Sequence, residues 1–234
     1  SERGDDTNLT PDGQADAIAR LLDKRGIAKV IVIGHSFGGA TTASFALRHR
    51  DRVLGLIFLS PATHPWPGGI DWYYDLANTP YLGRLFCNIV ALPAGLLRIE
   101  EGVKTVFHPN PVPDNYLDTA AIPLVLRPAS FCSNARDVAN LLVYVQKTQP
   151  LYREIAAPTV IITGDSDEIV YEELHSLGLN RDIKNSELLW IKGLGHKPDY
   201  VATDLAIAAI EKVAGMNRDL RKLAGDVERR IAPK

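Results

Sequence analysis

The stretch that decides the fold is Gly34-His35-Ser36-Phe37-Gly38-Gly39, which separates two regular segments of the chain. The run before it, residues 29–33 (KVIVI), is apolar and rich in β-branched residues, which predicts a buried strand. The run after it, residues 40–47 (ATTASFAL), is typical of a helix. A strand, a Gly-x-Ser-x-Gly turn and a helix together make a nucleophile elbow.

The spacing within this turn has a chemical reason. Ser36 has to lie at the apex of a tight turn if its Oγ is to project clear of the backbone. Gly34 and Gly38 flank it at a distance of two residues, where we expect a Cβ to collide across the turn. The helix that follows directs N–H groups and the positive end of its dipole toward the site, which stabilises a developing oxyanion.

Length and composition fit one large globular domain and narrow the choice of partners. The chain has 234 residues, and 26 basic against 28 acidic side chains give a formal charge of −2. There is no basic stripe, which argues against nucleic acid as a partner. No apolar run is long enough to span a bilayer. The oligomeric state stays open, and so does the compartment, for which the cytoplasm is the default. Two cysteines, Cys87 and Cys132, are too few for a disulfide framework, and the sequence does not decide whether they are paired or free.

The rest of the chain alternates helices with buried strands, except in its middle. Thr10-Pro11 predicts a helix start, and Gly26 its end. Further apolar runs at 53–59, 158–163 and 187–191 predict three more strands. Strands that lack polar alternation and are separated by helices indicate an α/β fold with a mostly parallel sheet, covered on both faces by flanking helices. The charged tail from residue 217 fits either a surface helix or a frayed segment.

The middle of the chain has a different character. Residues 62–155 are rich in proline and aromatic residues and lack βα alternation, which indicates an inserted, mainly helical cap. Ser133 or Asn134 is expected to cap one of its helices. Its aromatic side chains either line an apolar substrate pocket or, more commonly, pack the cap itself. We therefore divide the chain into a core made of residues 1–61 and 156–234 and a cap made of residues 62–155.

Three kinds of polar residue stand just past the predicted strands: Ser36, an aspartate of the 165–167 turn, and His196. Sites in open α/β sheets form at the carboxyl ends of the strands. A serine hydroxyl needs a base to take its proton, and a buried carboxylate orients the histidine that does so. Asp165 and Asp167 both fit, although the apolar residues that follow Asp167 favour it as the deeper one. No spacing suggests a metal site.

The remaining histidines are interpreted as structural. His35 is interpreted as a residue type that is common at this place in the elbow and has no role of its own. His49 is interpreted as a solvated residue, and His175 as lying on a helix face. For His64, which follows a strand end, a position in the pocket is the less favoured alternative.

These motifs resemble the α/β-hydrolase superfamily over nearly the whole chain. The resemblance rests on residues 34–39 (GHSFGG), on 164–170 (GDSDEIV) and on 193–196 (GLGH). It points to the capped branch that includes esterases, epoxide hydrolases, dehalogenases and carbon–carbon bond hydrolases, and a Ser at the elbow argues against the epoxide hydrolases and dehalogenases. The resemblance implies that Asp167 is the triad acid and that the Phe37 N–H is one oxyanion donor.

The chain departs from this family at its beginning. Members carry several strands and a His-Gly-type loop before the elbow helix, and that loop supplies the second oxyanion donor. Here only nine residues precede Thr10, and Ser1-Glu2-Arg3 looks like the end of the family's Gly-x-Gly-x-Ser segment. The resemblance therefore implies an N-terminally truncated hydrolase whose early strands are missing, which would leave an apolar edge of the sheet exposed.

The expected activity is that of a carboxylesterase-like serine hydrolase. Ser36, His196 and Asp167 would cleave an ester or related acyl bond of a small, apolar substrate through an acyl-enzyme, without a cofactor or metal. A carbon–carbon bond hydrolase or a perhydrolase would use the same triad. The alternative of another class is a catalytically silent hydrolase-fold protein that binds a ligand or partner.

Overall fold

Four parallel strands form the sheet in this computed structural model, which describes residues 6–70, 72–79 and 81–233. The strands are β1 (Val30–His35), β2 (Val53–Leu59), β3 (Thr159–Gly164) and β4 (Ser186–Ile191). They lie side by side in chain order, so β1 pairs with β2, β2 with β3 and β3 with β4. All four carboxyl ends therefore meet at one edge of the sheet, as the sequence predicted.

Eleven α-helices are found in the described part of the chain. They are α1 (Pro11–Lys24), α2 (Phe37–Arg48), α3 (Trp72–Asn78), α4 (Leu82–Ile89), α5 (Ala91–Phe107), α6 (Tyr116–Thr119), α7 (Pro128–Thr148), α8 (Glu172–Asp182), α9 (Pro198–Val201), α10 (Thr203–Val213) and α11 (Leu220–Ile231). Short 3₁₀ segments connect several of them.

Side chains of the central strands alternate between two apolar layers. Ile57 and Val160 point to the layer that contains the buried residues of α10 and α11. Phe58 and Ile161 point to the opposite layer, which α2 and α8 cover. Both faces of the sheet are thus buried, and this confirms the parallel-sheet prediction. The tail proves to be a helix that packs on the sheet, since Leu220 and Val227 are both fully buried.

Helix ends follow local sequence signals at α1 but not at α7. The Thr10 hydroxyl accepts the Gly13 N–H, and Gly26 after the helix has a φ of +65°, both as predicted. The expected start of α7 at Ser133 or Asn134 is wrong, because the helix already begins at Pro128. A proline fits the first turn of a helix, where its missing N–H has no acceptor to lose.

The segment between β2 and β3 contains α3 to α7, and its helix α7 is fastened to α4 and to α1. Cys87 of α4 forms a disulfide with Cys132 of α7, which settles a pairing that the sequence left open. The Tyr144 hydroxyl of α7 donates a 2.6 Å hydrogen bond to Oδ1 of Asp12 on α1. Segment 62–155 is therefore largely helical, and its assignment as a separate cap stays a prediction.

None of the described helices is by itself long and apolar enough to cross a membrane. Helix α4 and the Leu92–Phe107 part of α5 meet that requirement only as a pair, with a bend of 67° between them.

Strand β1 lies at an edge of the sheet. Within the described residues no strand pairs with its outer side, and Ile33 there is 45% exposed. An exposed apolar edge agrees with the expectation from the family resemblance. The segment Ser1-Glu2-Arg3, to which that resemblance also pointed, lies outside the described residues.

Candidate active site

The turn between β1 and α2 holds Ser36 in a strained backbone conformation. Its φ of +53° falls in the left-handed region, which non-glycine residues rarely adopt and which is common at functional sites. Three backbone hydrogen bonds fix it there. The Ser36 N–H donates to the Leu59 carbonyl at 3.0 Å, and the Ser36 carbonyl accepts the N–H groups of Gly39 and Ala62, both at 2.9 Å.

Two glycines make this turn possible, but they are not the pair that the motif suggested. A Cβ on Gly34 would lie 2.2 Å from the Gly38 carbonyl oxygen, so the prediction holds for Gly34. A Cβ on Gly38 would meet nothing within 4 Å, so the expected collision there is wrong. The second crowded position is Gly39, whose Cβ would lie 2.5 Å from Cβ of Pro61. The loop after β2, rather than the turn itself, imposes this second restriction.

Asp167 and His196 are joined by a buried hydrogen bond. His196 Nδ1 lies 2.8 Å from Asp167 Oδ2, and the Asp167 side chain is fully buried. The other oxygen, Oδ1, accepts the N–H groups of Ile169 and Val170, both at 3.0 Å. Burial acts to raise the pKa of Asp167, but the hydrogen bond and charge of His196 and these two N–H groups outweigh it and hold the pKa below its usual value. Asp167 is thus held as a carboxylate that can fix one imidazole tautomer.

The neighbouring acid has different partners. Asp165 Oδ1 accepts the Gly193 N–H at 2.7 Å and the Ser166 hydroxyl at 3.0 Å. These contacts tie the turn after β3 to the loop after β4. The structure therefore brings Asp167, and not Asp165, to the imidazole of His196.

Two residues that the sequence analysis did not assign to the site support the His196 loop. His35, which was interpreted as having no role of its own, has its Nε2 at 2.6 Å from the His196 carbonyl, and the two rings are 4.8 Å apart. Asn110 spans the loop, because its Oδ1 accepts the Gly195 N–H at 2.9 Å and its Nδ2 donates to the Gly193 carbonyl at 2.8 Å. No local signal marks Asn110, which lies between two prolines in the middle segment.

His35 precedes Ser36 in the chain, and its Nε2 lies within hydrogen-bonding distance of the His196 carbonyl oxygen. This contact brings the chain at Ser36 close to the chain at His196. Among the described residues no hydrogen bond joins the Ser36 hydroxyl to the imidazole of His196. Such bonds are often long before substrate is bound. Phe37 is the first residue of α2, so its N–H has no acceptor within that helix, and its role as an oxyanion donor stays a prediction.

The buried histidines His64 and His175 hold the loop after β2 in place. His175 Nδ1 accepts the N–H groups of Thr63 and His64, at 3.1 and 2.9 Å. His64 Nε2 lies 3.2 Å from Oδ2 of Asp182 on α8. Burial, and secondarily the charge of His64, lowers the pKa of His175 to about 4. Ala62 of the same loop donates its N–H to the Ser36 carbonyl. The hydrogen bonds of His175 to this loop therefore also stabilise the elbow.

An apolar cluster borders the polar residues of the site. Its buried members are Ala40, Ala62, Leu141, Val145 and Val170, and Phe37, Trp66 and Tyr144 pack against it. Phe37 follows Ser36 in the chain, and Val170 binds the Asp167 carboxylate through its N–H. A separate cavity of about 440 Å³, between α1, α2 and α7, has a mixed lining that includes Gln14, Ile18 and Thr41 but not Ser36, Asp167 or His196.

Metal chemistry finds no support in the described ranges, where no group of three or more His, Cys, Asp or Glu side chains is arranged to hold an ion.

Comparison with known proteins identifies the family. The sequence profile of the alpha/beta hydrolase fold matches residues 1–198. The chain belongs to the α/β-hydrolase family. This confirms the fold predicted from the three motifs, and it rests on much more than half of the chain.

Three similar proteins illustrate the range of this family. The chain is similar to the lipase LipV of Mycobacterium tuberculosis, with 45% identity over 53 residues, which are 23% of this chain and 20% of that protein. It is also similar to the homoserine O-succinyltransferase of Xanthomonas campestris pv. campestris, with 29% identity over 178 residues, 67% of this chain and 46% of that protein. The enol-lactonase from Burkholderia xenovorans LB400 shares the fold, with a TM-score of 0.64 and 16% identity over 88% of this chain and 74% of that one.

The matched regions span less than half the length of these two curated relatives. The likeness to the lactonase, at 16% identity, shows the fold alone.

Proposed function

We propose that this α/β-hydrolase is a serine hydrolase that cleaves an ester or related acyl bond. The observation that carries the proposal is the 2.8 Å hydrogen bond between His196 and a fully buried Asp167, at the same sheet edge as a strained Ser36. A hydroxyl at the end of a strand, a histidine and an orienting carboxylate are the parts that nucleophilic acyl transfer needs.

Each residue has a defined task in this mechanism. Ser36 Oγ attacks the substrate carbonyl while His196 Nε2 takes its proton, and Asp167 stabilises the imidazolium that forms. The Phe37 N–H donates to the oxyanion of the tetrahedral intermediate. His196 then protonates the leaving alcohol, and a water molecule that His196 deprotonates releases the acyl group and restores Ser36.

The surroundings of the site favour an apolar acyl group. The cluster around Ala40, Leu141 and Val170 lies next to Phe37, and burial of an apolar acyl chain there would contribute binding free energy. Similarity to a lipase supports an ester substrate, whereas similarity to a homoserine acyltransferase supports an alcohol in place of water as acyl acceptor. Carbon–carbon hydrolysis and perhydrolysis remain chemical alternatives for the same triad.

A fluorophosphonate probe and short-chain p-nitrophenyl esters test the proposal. We expect the parent protein to be labelled at Ser36, and Ser36→Ala to lose labelling and to lower kcat by about 10³-fold or more, because triad members act as a unit. Ser166→Ala is the matched control and should keep near-parental turnover, since within the described part of the chain the Ser166 hydroxyl bonds Asp165 and not Asp167 or His196.

Turnover of Ser36→Ala within about tenfold of the parent would remove Ser36 from the mechanism. A folded parent that is neither labelled nor active would support the silent, ligand-binding alternative instead.

A further inference from the structure

A run of exposed apolar side chains lies on α4 and the first turns of α5. Leu82, Leu85 and Ile89 form one stripe of α4 and are 56–62% exposed, whereas Gly83 and Cys87 on the other side of the same helix are buried. On α5 the exposed apolar residues continue with Leu92, Leu96 and Leu97, which are 38%, 50% and 88% exposed. We call this the α4–α5 surface. It is independent of the proposed catalytic residues.

The outward direction of this surface is fixed by covalent and steric contacts. Cys87 is bonded to Cys132 of α7, so α4 cannot roll to turn its leucines inward. Gly83 packs so closely that a Cβ there would lie 2.2 Å from the Ala77 carbonyl oxygen. An apolar face that is held toward the outside indicates an interaction site.

The charge pattern of the segment narrows the choice of partner. Between Asp75 and Glu100 the only charged residues are Arg84 and Arg98, and both are exposed. Neither guanidinium forms an ion pair with a residue that the structure describes. A second copy of this chain, docked through the same face, would bring these unpaired arginines near each other, which is unfavourable. An anionic partner with an apolar interior suits both features.

Exposed aromatic side chains border the same region. Trp72 is 70% exposed and Tyr81 is 87% exposed. Rings with an apolar body and a polar tip are enriched where membrane proteins meet the lipid headgroups. Helix α4 and most of α5 also have the combined length and apolar composition of a bilayer segment, but they are bent by 67° and α4 is tied to α7. This geometry fits helices that lie on a membrane rather than cross it.

We propose that the α4–α5 surface docks on the surface of an anionic lipid bilayer. The leucines enter the boundary between headgroups and acyl chains, and Arg84 and Arg98 contact lipid phosphates or anionic headgroups.

Vesicle flotation tests the proposal with the whole chain. The protein is mixed with vesicles of phosphatidylglycerol and phosphatidylcholine in equal parts, or of phosphatidylcholine alone, and is centrifuged in a density gradient. Bound protein rises with the lipid, whereas aggregated protein stays at the bottom. We expect parent protein to float with the anionic vesicles, and raised salt to reduce the bound fraction because it screens the arginines.

Four variants locate the contact. Leu85→Glu and Leu97→Glu should each lower the partition coefficient by about tenfold or more, since each removes a leucine from lipid. Leu97 is the more exposed of the two, so its substitution tests the surface even if Leu85→Glu fails to fold. Ile207→Glu on α10 is the matched control, because Ile207 is 51% exposed but lies on another face, and it should bind as the parent does. Arg84→Gln with Arg98→Gln should abolish the preference for anionic lipid.

Several results would overturn the proposal. One is a parent protein that does not float, and another is equal binding to both kinds of vesicle. A third is a loss in Ile207→Glu as large as that in Leu97→Glu. If sedimentation equilibrium instead shows a dimer that Leu97→Glu dissociates, without flotation, the surface is a contact between copies of the chain.

Discussion

Replacement of His175 by asparagine tests whether a buried histidine makes the fold sensitive to acid. The His175 side chain is almost completely buried, and its Nδ1 accepts the N–H groups of Thr63 and His64. A protonated Nδ1 cannot accept them. The amide oxygen of an asparagine can take the place of Nδ1 as an acceptor, but it does not titrate.

The size of the effect follows from the pKa of His175. Burial, followed by the charge of His64, lowers it from 6.5 to about 4, while the charge of Asp167 acts in the opposite direction. Between these two pH values the unfolded chain binds a proton at His175 that the folded chain does not. The free energy of unfolding therefore has its full value above pH 6.5 and falls as the pH drops toward about 4. A difference of about 2.5 pH units at about 1.4 kcal/mol each gives a full loss of about 3.5 kcal/mol, most of which has occurred at about pH 4.5.

Urea unfolding of the parent, His175→Asn and His175→Leu at about pH 7.5 and about pH 4.5 measures this loss. We expect His175→Asn to lose less stability on acidification than the parent, by up to about 3 kcal/mol, because contributions of other histidines cancel in the difference. His175→Leu should be destabilised at both pH values, since two buried N–H groups lose their acceptor at about 1–3 kcal/mol each. Parallel pH dependence in the parent and His175→Asn would refute the reasoning.

Three further outcomes are expected. Asp167→Asn should lower kcat for ester hydrolysis by about 10⁴-fold, because the imidazole loses its correct tautomer. Asp165→Asn should cost about 1 kcal/mol of stability and leave kcat near normal. Kinetic assays and thermal melts of both variants measure this, and the reverse order would mean that the acid is misassigned by two residues. Cys87→Ser should lower stability by up to about 4 kcal/mol, because the disulfide closes a loop across a sequence separation of 45; an unchanged melting temperature in non-reducing buffer would contradict this. The chain expressed alone should aggregate through the exposed edge of β1, and Ile33→Lys should raise the soluble yield. A monomeric parent that melts cooperatively would show that this edge does not cause aggregation.

Sequence reasoning succeeded where the determining interactions are local or repeat along the chain. The four strands were predicted from the apolar runs at 29–33, 53–59, 158–163 and 187–191, and each observed strand overlaps one of these runs. The central strands β2 and β3 are buried on both faces, which explains why their runs lack polar alternation. The elbow was predicted because a tight strand–helix turn limits the residue types at each position. Asp167 was favoured by the apolar residues beside it, and the structure places it against His196.

The contacts that were missed join residues far apart in the chain. Asn110 lies 85 residues from Gly195, whose N–H it accepts, and nothing in its neighbours reveals that partner. The disulfide of Cys87 and the crowding of Gly39 by Pro61 also depend on how separate segments pack. The start of α7 at Pro128 was missed for a different reason, because Ser133 and Asn134 suit the cap of a helix but here lie inside one.

The fastening of α7 at two places has a consequence for engineering. Tyr144 ties this helix to α1, while Cys132 ties it to α4. Helix α7 is therefore held both to the core and to α4, whereas the disulfide does not involve α3, α5 or α6. We expect the protein to tolerate substitutions in α3 and α5 better than substitutions that remove the Tyr144 or Cys132 contacts of α7.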